Sequence, residues 1–281
     1  MKKIHHSTSA VVVVTALLIG GWMFIPTGMK AYGQGEQEEE EEQQQPTSPS
    51  TSFLPTDQTL DSSSLSSTTL AKNWTSSFML ENCNFSTTGS NPYFILKPGY
   101  HTVFSGIEDN EPLNMTITVL NQTKVVGDGI VTRVVQEKVT NSQTGELMEI
   151  TNDWFAICTQ TNSVFYFGED VNNYEDGKLV DHEGSWQHGS NGAKAGLIMP
   201  GIVLLGSRYY QEIAPGIALD KSEIVSMNET VNVPAGNFNN VIKMIETNDL
   251  EPNVVEDNLH APGVGQVIDN GLKLVSYGYL K

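Results

Sequence analysis

Basic residues are scarce in this chain. It has 15 Lys and Arg against 33 Asp and Glu over 281 residues, which gives a formal net charge of −18. A surface this acidic repels the phosphates of nucleic acids and anionic lipid headgroups. We therefore expect no nucleic-acid partner, and we expect contact with a membrane only through an N-terminal segment. The identity of any partner stays unknown from the sequence.

Cysteine is equally scarce, since the chain contains only Cys83 and Cys158. Two cysteines so far apart fit neither a CxxC motif nor a zinc-ligand spacing. In an exported chain an even number of cysteines allows one disulfide, provided that the two Cα atoms lie within about 7 Å of each other. A disulfide between them and two separate buried thiols are both compatible with the sequence.

Helical periodicity is absent after residue 72, because no window keeps apolar residues at helical spacing over the usual helix length. Short alternating or β-branched segments recur instead, such as Leu113–Leu120, and turn residues separate them. Asp176-Gly177 carries the signal of a tight hairpin. A sheet this large must curl to cover its apolar face. The sequence predicts a mainly β domain over residues 73–281, a single large curved antiparallel sheet arranged as a half-barrel-like meander.

Three short segments carry narrower predictions. Short helical turns are expected near Gly192–Gly196 and Pro215–Asp220, where glycine or proline interrupts the strand pattern. Ile202–Leu205 is fully apolar and is bounded by Gly201 and Gly206. We therefore expect Ile202–Leu205 to be a buried strand or crossover.

Charge and hydrophobicity set the first 72 residues apart. Lys2 and Lys3 precede an apolar run of 16 residues, Ala10–Ile25, and this pattern predicts a signal peptide or an N-terminal membrane anchor over residues 1–33. Residues 34–72 are first Glu-rich and then rich in Ser, Thr and Pro, which predicts a disordered linker. We therefore expect the β domain to be extracytoplasmic, either secreted or anchored to a membrane at its N-terminus.

Five Asn-X-Ser/Thr sequences occur in the chain. They begin at Asn73, Asn84, Asn114, Asn121 and Asn228. In an exported protein such sequences are candidate N-glycosylation sites where the host has the pathway. Asn and Thr are also frequent throughout this chain, so chance matches remain the alternative.

No complete catalytic or metal-binding motif is present. Ser185 and Ser190 lie near His182 and His188, but no GxSxG nucleophile elbow surrounds either serine. The six-residue spacing of the two histidines fits no zinc pattern. Asp170–Asn173 offers oxygen ligands, but the loop lacks the glycine that an EF-hand requires at its sixth position. We expect no catalytic residue and no resident cofactor, with calcium as the one ion that the sequence leaves open.

The densest mixture of aromatic, acidic and glycine residues lies in Val164–Pro200. In a curved sheet, aromatic side chains and a few polar groups of this kind line a concave face that suits an apolar or glycan ligand. The candidate ligand-binding residues are Tyr166, Glu169, Asp170, Trp186 and Glu212. Paired carboxylates beside aromatic residues are also typical of glycosidases, so an exported hydrolase is the alternative function.

A set of short motifs runs through the β region. Among them are FYFGED at 165–170, YEDGK at 174–178, GSW at 184–186, GAKAGLIMP at 192–200 and APGVG at 261–265. In this order the set resembles a family of uncharacterised exported bacterial and archaeal β-rich proteins. The resemblance implies an extracytoplasmic β domain, distantly similar to curved-sheet lipoprotein-carrier-like folds. It implies no activity and no catalytic residue.

The sequence therefore predicts an exported cell-envelope protein that acts as a non-catalytic binding or structural module. Structure separates the three hypotheses. A hydrolase would bring acidic residues together in one deep pocket and raise their pKa values. A binding module would have an apolar, aromatic-lined concavity. A structural component would have a filled core.

Overall fold

Strands and two short 3-10 turns make up the part of the chain that the computed structural model describes, residues 73–280. The 3-10 turns are Leu80–Asn82 and Gly127–Gly129. The strands are β1 (Phe85–Ser86), β2 (Gly89–Asn91), β3 (Phe94–Leu96), β4 (Tyr100–Glu108), β5 (Glu111–Val126), β6 (Ile130–Asn141), β7 (Leu147–Cys158), β8 (Val164–Glu175), β9 (Lys178–Asp181), β10 (Trp186–Gln187), β11 (Lys194–Met199), β12 (Arg208–Tyr210), β13 (Glu212–Ile213), β14 (Asp220–Val233), β15 (Gly236–Asn248), β16 (Val255–Ala261), β17 (Gly265–Asp269) and β18 (Leu272–Tyr279).

One antiparallel sheet contains 16 of these strands. Its order is β12-β14-β15-β16-β17-β18-β4-β5-β6-β7-β8-β11-β13, with β1 added beside β7 and with β9 and β10 added beside β8. Strands that follow each other in the chain are neighbours through most of this order, so the sheet is a long meander. The predicted fold class, mainly β with one large curved antiparallel sheet, is confirmed.

The two ends of the sheet meet through a single residue. Strands β12 and β13 occupy opposite ends of the strand order, yet only Gln211 separates them in the chain. The sheet must therefore curl until its ends come together, and it is nearly closed into a barrel. The closure goes further than the half-barrel that the sequence predicts, because nothing local in the sequence shows that the edges of the sheet are so close.

Both faces are buried along residues 153–158 of β7 and residues 164–169 of β8. Phe155 and Tyr166 pack in a core cluster on the concave side of the sheet, which we call the inner core. Trp154, Ala156 and Phe165 have the opposite strand parity and pack in a second cluster, which we call the outer core. Because each face has its own cover, these strands show almost continuous apolar runs in place of alternation.

The segment before β1 covers the outer core. Phe78 and Phe85 place their rings 5.8 Å and 5.9 Å from the ring of Phe165, both edge-on. A disulfide joins Cys83 to Cys158 at the end of β7, with a Cα to Cα distance of 5.1 Å. This bond attaches the covering segment to the sheet.

Of the predicted turns, the hairpin at Asp176-Gly177 is present, and the two predicted helical turns are not. Asp176 and Gly177 form the predicted two-residue hairpin between β8 and β9, and both have positive φ. The expected helical turn near Gly192–Gly196 is wrong, because strand β11 begins there and pairs with β8. Pro215–Asp220 likewise contains no helix but a turn closed by the bridge between Ala214 and Ala218.

The expected burial of Ile202–Leu205 is wrong. These residues lie in the loop between β11 and β12, and Ile202, Leu204 and Leu205 are 76%, 61% and 67% exposed. The loop is anchored at its end, where the Gly206 backbone N–H donates to the carbonyl of Ile224. Hydrophobic composition alone did not show that no strand or layer covers this loop.

The predicted N-terminal targeting segment and linker, residues 1–33 and 34–72, lie outside the described residues. Within 73–280, no helix is long and apolar enough to cross a membrane.

Replacing both Cys83 and Cys158 by Ser is expected to lower the free energy of unfolding. The disulfide spans a sequence separation of 75 residues and restricts the unfolded chain. The chain-entropy model gives about 4 kcal/mol for a loop of this length. Urea denaturation of the full chain measures the change. As a control, a reductant should shift the midpoint of the wild-type protein and not that of the double variant. An unchanged midpoint in the variant would contradict the prediction.

Candidate functional site

A chamber of about 80 Å³ lies on the concave side of the sheet. Its apolar lining includes Phe94, Ile117, Val135, Phe155, Tyr166 and Met244. Its polar lining consists of Glu137, Asp153, Gln211, Glu246, His260 and Gln266. A buried water needs roughly 10–15 Å³ of such space, so the chamber has room for several waters or for a small organic molecule.

A second cavity of about 30 Å³ adjoins the chamber and shares Ile198, Gln211 and Glu246 with it. We call this cavity the acidic vestibule. Its carboxyl groups belong to Glu212, Asp220, Glu246, Glu251 and Glu256. Among the described residues, no Lys or Arg lines either cavity. The vestibule therefore has a one-sided acidic composition.

Gln211 lies at the junction of the two cavities. Its Nε2 donates a hydrogen bond to Glu246 Oε1 at 2.9 Å. The side chain of Gln211 is 3% exposed, and that of Glu246 is 8% exposed. The residue that connects the two ends of the sheet thus also lines both cavities.

Three buried polar atoms of the chamber lining have no hydrogen-bond partner among the described residues. They are Glu137 Oε1, Gln211 Oε1 and His260 Nδ1. An unsatisfied polar atom in a protein interior costs about 1–3 kcal/mol. Buried polar atoms in native proteins usually have a partner, and water molecules or a hydrogen-bonding ligand in the chamber would supply one.

Four of the five predicted ligand-binding residues lie together on the concave side. The Tyr166 hydroxyl donates to Asp153 Oδ1 at 2.9 Å, and its ring meets that of Trp186 edge-on at 5.2 Å. Trp186 Nε1 donates to Glu169 Oε1 at 3.0 Å. Glu212 is close enough to raise the pKa of Tyr166 together with Glu169.

Asp170, the fifth predicted residue, is exposed. It follows Glu169 directly in β8, and successive strand residues point to opposite faces of a sheet. Its carboxylate therefore lies away from the group around Tyr166. The same alternation separates the oxygen ligands that Asp170–Asn173 offered for calcium. No group of three His, Cys, Asp or Glu side chains among residues 73–280 is arranged to hold a metal ion.

A glycine allows Trp186 to reach Glu169. Strand β10 pairs with β8 so that Gln187 lies opposite Gly168 and Trp186 lies opposite Glu169. Gly168 has φ of 133°, and a Cβ there would lie 2.4 Å from the backbone oxygen of Trp186. Any other residue would push β10 away, so the glycine of the FYFGED motif positions the indole ring.

Glu137, Asp153, Gln211 and His260 line the chamber but were not predicted from the sequence. They come from four separate strands or connections, and no local motif contains two of them. A signal was present for Glu137, because it shares its strand parity with the buried Val135 and Val139. A carboxylate at a core position of an alternating strand indicates an inward-facing acid.

Eight acidic side chains in the described part of the protein are buried. They are Glu108, Glu137, Glu149, Asp153, Glu169, Glu212, Glu246 and Asp269. Burial disfavours the charged form of a carboxyl group. It raises the pKa of Glu246 to about 8 and that of Asp153 to about 7. The interior is therefore less charged at neutral pH than its composition indicates.

Two further groups have strongly shifted pKa values. Burial raises the pKa of Glu212 well above its usual value, and the neighbouring carboxyl of Asp220, to which Glu212 hydrogen bonds, adds to the effect. The backbone N–H of Asp220 also donates to Glu212 Oε1 at 3.2 Å. Burial lowers the pKa of His260 to about 4, so the ring is neutral at neutral pH.

The five candidate glycosylation sites differ in exposure. Asn73, Asn84, Asn121 and Asn228 are exposed, whereas Asn114 is half-buried within β5. Exposure permits attachment of a glycan but does not test it, so glycosylation stays a prediction.

Comparison with known proteins adds little. No protein family matches this chain, and no curated protein matches it. A solved structure from Bacteroides fragilis, of a protein described as exported with a YmcC-like fold, is similar at 16% sequence identity. The similarity covers 70% of this chain and 100% of that chain, with a TM-score of 0.30. A likeness this low supports no functional comparison, and the resemblance of the short motifs to an exported family stays a prediction.

The buried carboxyl groups predict an unusual dependence of stability on pH. The pKa of Glu246 is about 8 in the folded protein against 4.5 in a free chain, and that of Glu149 is about 7. Protonation therefore favours the folded state. Stability from these groups is complete below about pH 4.5 and is lost as the pH rises through about 7 to 8.

We expect the melting temperature of the full chain to fall by several kelvin between about pH 5 and about pH 8.5. Glu246→Gln keeps an acceptor for Gln211 and should reduce this slope. Glu183→Gln, at an exposed position, is the matched control and should leave the slope unchanged. A melting temperature that rises over this pH range would show that the interior acids are ionised in the folded protein.

Proposed function

We propose that this protein is an extracytoplasmic, non-catalytic binding module that takes a small ligand into the chamber inside its curved sheet. The observation that carries the proposal is the chamber itself. Its wall includes apolar and aromatic side chains, and three of its polar lining residues, Glu137, Gln211 and His260, each have one unpartnered buried atom. An apolar cavity with a few polar groups is the usual composition of a small-molecule site.

The chamber argues against a purely structural role. Protein interiors are packed almost as densely as organic crystals, and voids larger than a water molecule are few. A sheet that served only as a support would fill this space with side chains. Here the aromatic rings of Phe155 and Tyr166 stack on each other at 4.9 Å and form part of the wall, leaving the space beside them open.

Two observations support a location outside the cytoplasm. The N-terminal pattern predicts export, and the disulfide between Cys83 and Cys158 is of the kind that persists in oxidising compartments. Both belong to the proposal, since neither reports where the protein is found in the cell.

One observation supports the alternative function, an exported hydrolase. The carboxyl groups of Glu212 and Asp220 hydrogen bond to each other at the vestibule, and a pair that shares a proton can act as acid and base. Glu169, the expected partner of Glu212, is instead engaged by the Trp186 indole. Hydrolysis of 4-nitrophenyl glycosides by the wild-type protein, lost in Glu212→Gln, would favour the hydrolase over the binding module.

Filling the space beside Ile198, which both cavities share, should abolish ligand binding. Ile198 lines both cavities and is half-buried, so Ile198→Trp should fill the junction. Ile150→Trp is the matched control, because Ile150 is half-buried in β7 and lines neither cavity.

The probes are three molecules with the same four-carbon chain, butylamine, 1-butanol and butyrate. At least one should raise the melting temperature of the wild-type full chain and of Ile150→Trp, and none should raise that of Ile198→Trp. A ligand at about 100 times its Kd stabilises the folded state by about 2.7 kcal/mol. If no probe stabilises the wild-type protein, the proposed binding function is wrong.

A further inference from the structure

We infer that the chamber recognises an alkylammonium group, a positively charged amine on a short aliphatic chain. The inference rests on the proposed binding function and assigns the ligand class of the same site. Hydrogen-bond direction, the sign of the surrounding charge and the shape of the wall lead to it independently.

Each unpartnered atom of the chamber lining can accept a hydrogen bond, Glu137 Oε1 when it carries no proton and His260 Nδ1 when the ring proton is on Nε2. Gln211 uses its Nε2 to donate to Glu246, which leaves its Oε1 as an acceptor. His260 hydrogen bonds to the backbone of Tyr93, and its Nδ1 is left without a partner in a ring that is neutral. The third atom is Glu137 Oε1, a carboxyl oxygen.

An ammonium group matches this set. It carries three N–H donors and no acceptor, whereas a hydroxyl carries one donor and a carboxylate carries none. Three acceptors around one chamber therefore favour an ammonium over the other common head groups of small metabolites.

Carboxyl groups are the side chains around the chamber that can become charged, and burial raises their pKa values, which favours the neutral form while the chamber holds no cation. Glu137, Asp153 and Glu246 line the chamber, and no Lys or Arg among the described residues does so. Glu246 also lies directly opposite Glu256 across strands β15 and β16. Like charges at opposed positions destabilise a sheet. A cation in the chamber would offset that repulsion and would favour the ionised form of the neighbouring carboxyl groups.

The chamber wall suits a short aliphatic chain that carries a cation. Phe94 meets Phe155 edge-on at 5.2 Å, and Phe155 stacks on Tyr166. These rings present apolar surface to a hydrocarbon chain, and the face of an aromatic ring attracts an ammonium group. The volume of about 80 Å³ limits the ligand to a few non-hydrogen atoms.

An alkylammonium group reaches proteins from two sources, a free amine and the side chain of lysine in a peptide. Butylamine represents the first, and Nα-acetyl-lysine methylamide represents the second. Binding of either compound supports the inference, and the ratio of their affinities identifies the source. The volume of the chamber, about 80 Å³, favours the free amine over a lysine side chain that remains attached to a peptide.

The test is a thermal-shift titration of the full chain at neutral pH and constant ionic strength. Butylamine should raise the melting temperature at a concentration at least about tenfold lower than 1-butanol requires, and butyrate should have no effect. Equal responses to butylamine and 1-butanol would overturn the inference and leave the binding function standing. No response to any probe would overturn both.

Two variants test whether butylamine binds at Glu137. Glu137→Gln should weaken butylamine binding by about tenfold or more and leave the response to 1-butanol unchanged. Glu149→Gln is the matched control, since Glu149 is equally buried and lines neither cavity. It should bind butylamine like the wild type. If both variants lose butylamine binding to the same extent, the ammonium does not lie at Glu137.

Discussion

The fold depends on one close approach between strands at the seam where the sheet closes. Strand β11 pairs with β13 immediately after Gln211, and a Cβ at Gly196 would lie 2.3 Å from the backbone oxygen of Gln211. Only glycine allows the two backbones to come this near. The inner core, the chamber and the acidic vestibule all lie inside the curve that this seam completes. Gly196 of the GAKAGLIMP motif is thus required for closure of the sheet. Its presence is explained without a contact to a ligand.

Closure also creates an energetic conflict. It removes eight acidic side chains from water, and each prefers its charged form only where water or a cation solvates it. Hydrogen bonds from Tyr166 to Asp153 and from Trp186 to Glu169 satisfy part of this demand. Packed aromatic rings and the disulfide on the outer face supply stability from elsewhere. The interior is therefore polar at considerable cost, and a polar interior is more readily explained by binding than by support alone.

Much of the fold could be predicted because its signals are local. Alternation identified the strands, and Asp176-Gly177 identified a hairpin. Tyr166, Glu169 and Trp186 could be grouped from the sequence because they lie close in sequence as well as in space, and of the three only Tyr166 lines the chamber. The remainder of the site depends on register and closure. Gln211 meets Glu246 across a gap of 35 residues, and nothing near either residue reveals the contact.

The exposure of the loop at Ile202–Leu205 also could not be predicted from the local sequence. Its residues are apolar, but hydrophobicity does not report whether another element is present to cover them. The missed contact between Gln211 and Glu246 and the wrong prediction of a buried loop have the same cause. Both depend on which parts of the chain become neighbours after the sheet has curled.

The one-residue link at Gln211 limits how the gene can change in length. Side chains alternate between the two faces of a strand, so a single inserted or deleted codon at this point would turn Glu212 to the opposite face and shift the seam by one register. The middle of the loop between β11 and β12, Ile202–Leu205, has no strand register to keep, because hydrogen bonds from Gly201 and Gly206 anchor only its two ends. Length variation among descendants of this protein should therefore collect in that loop and be absent from the link.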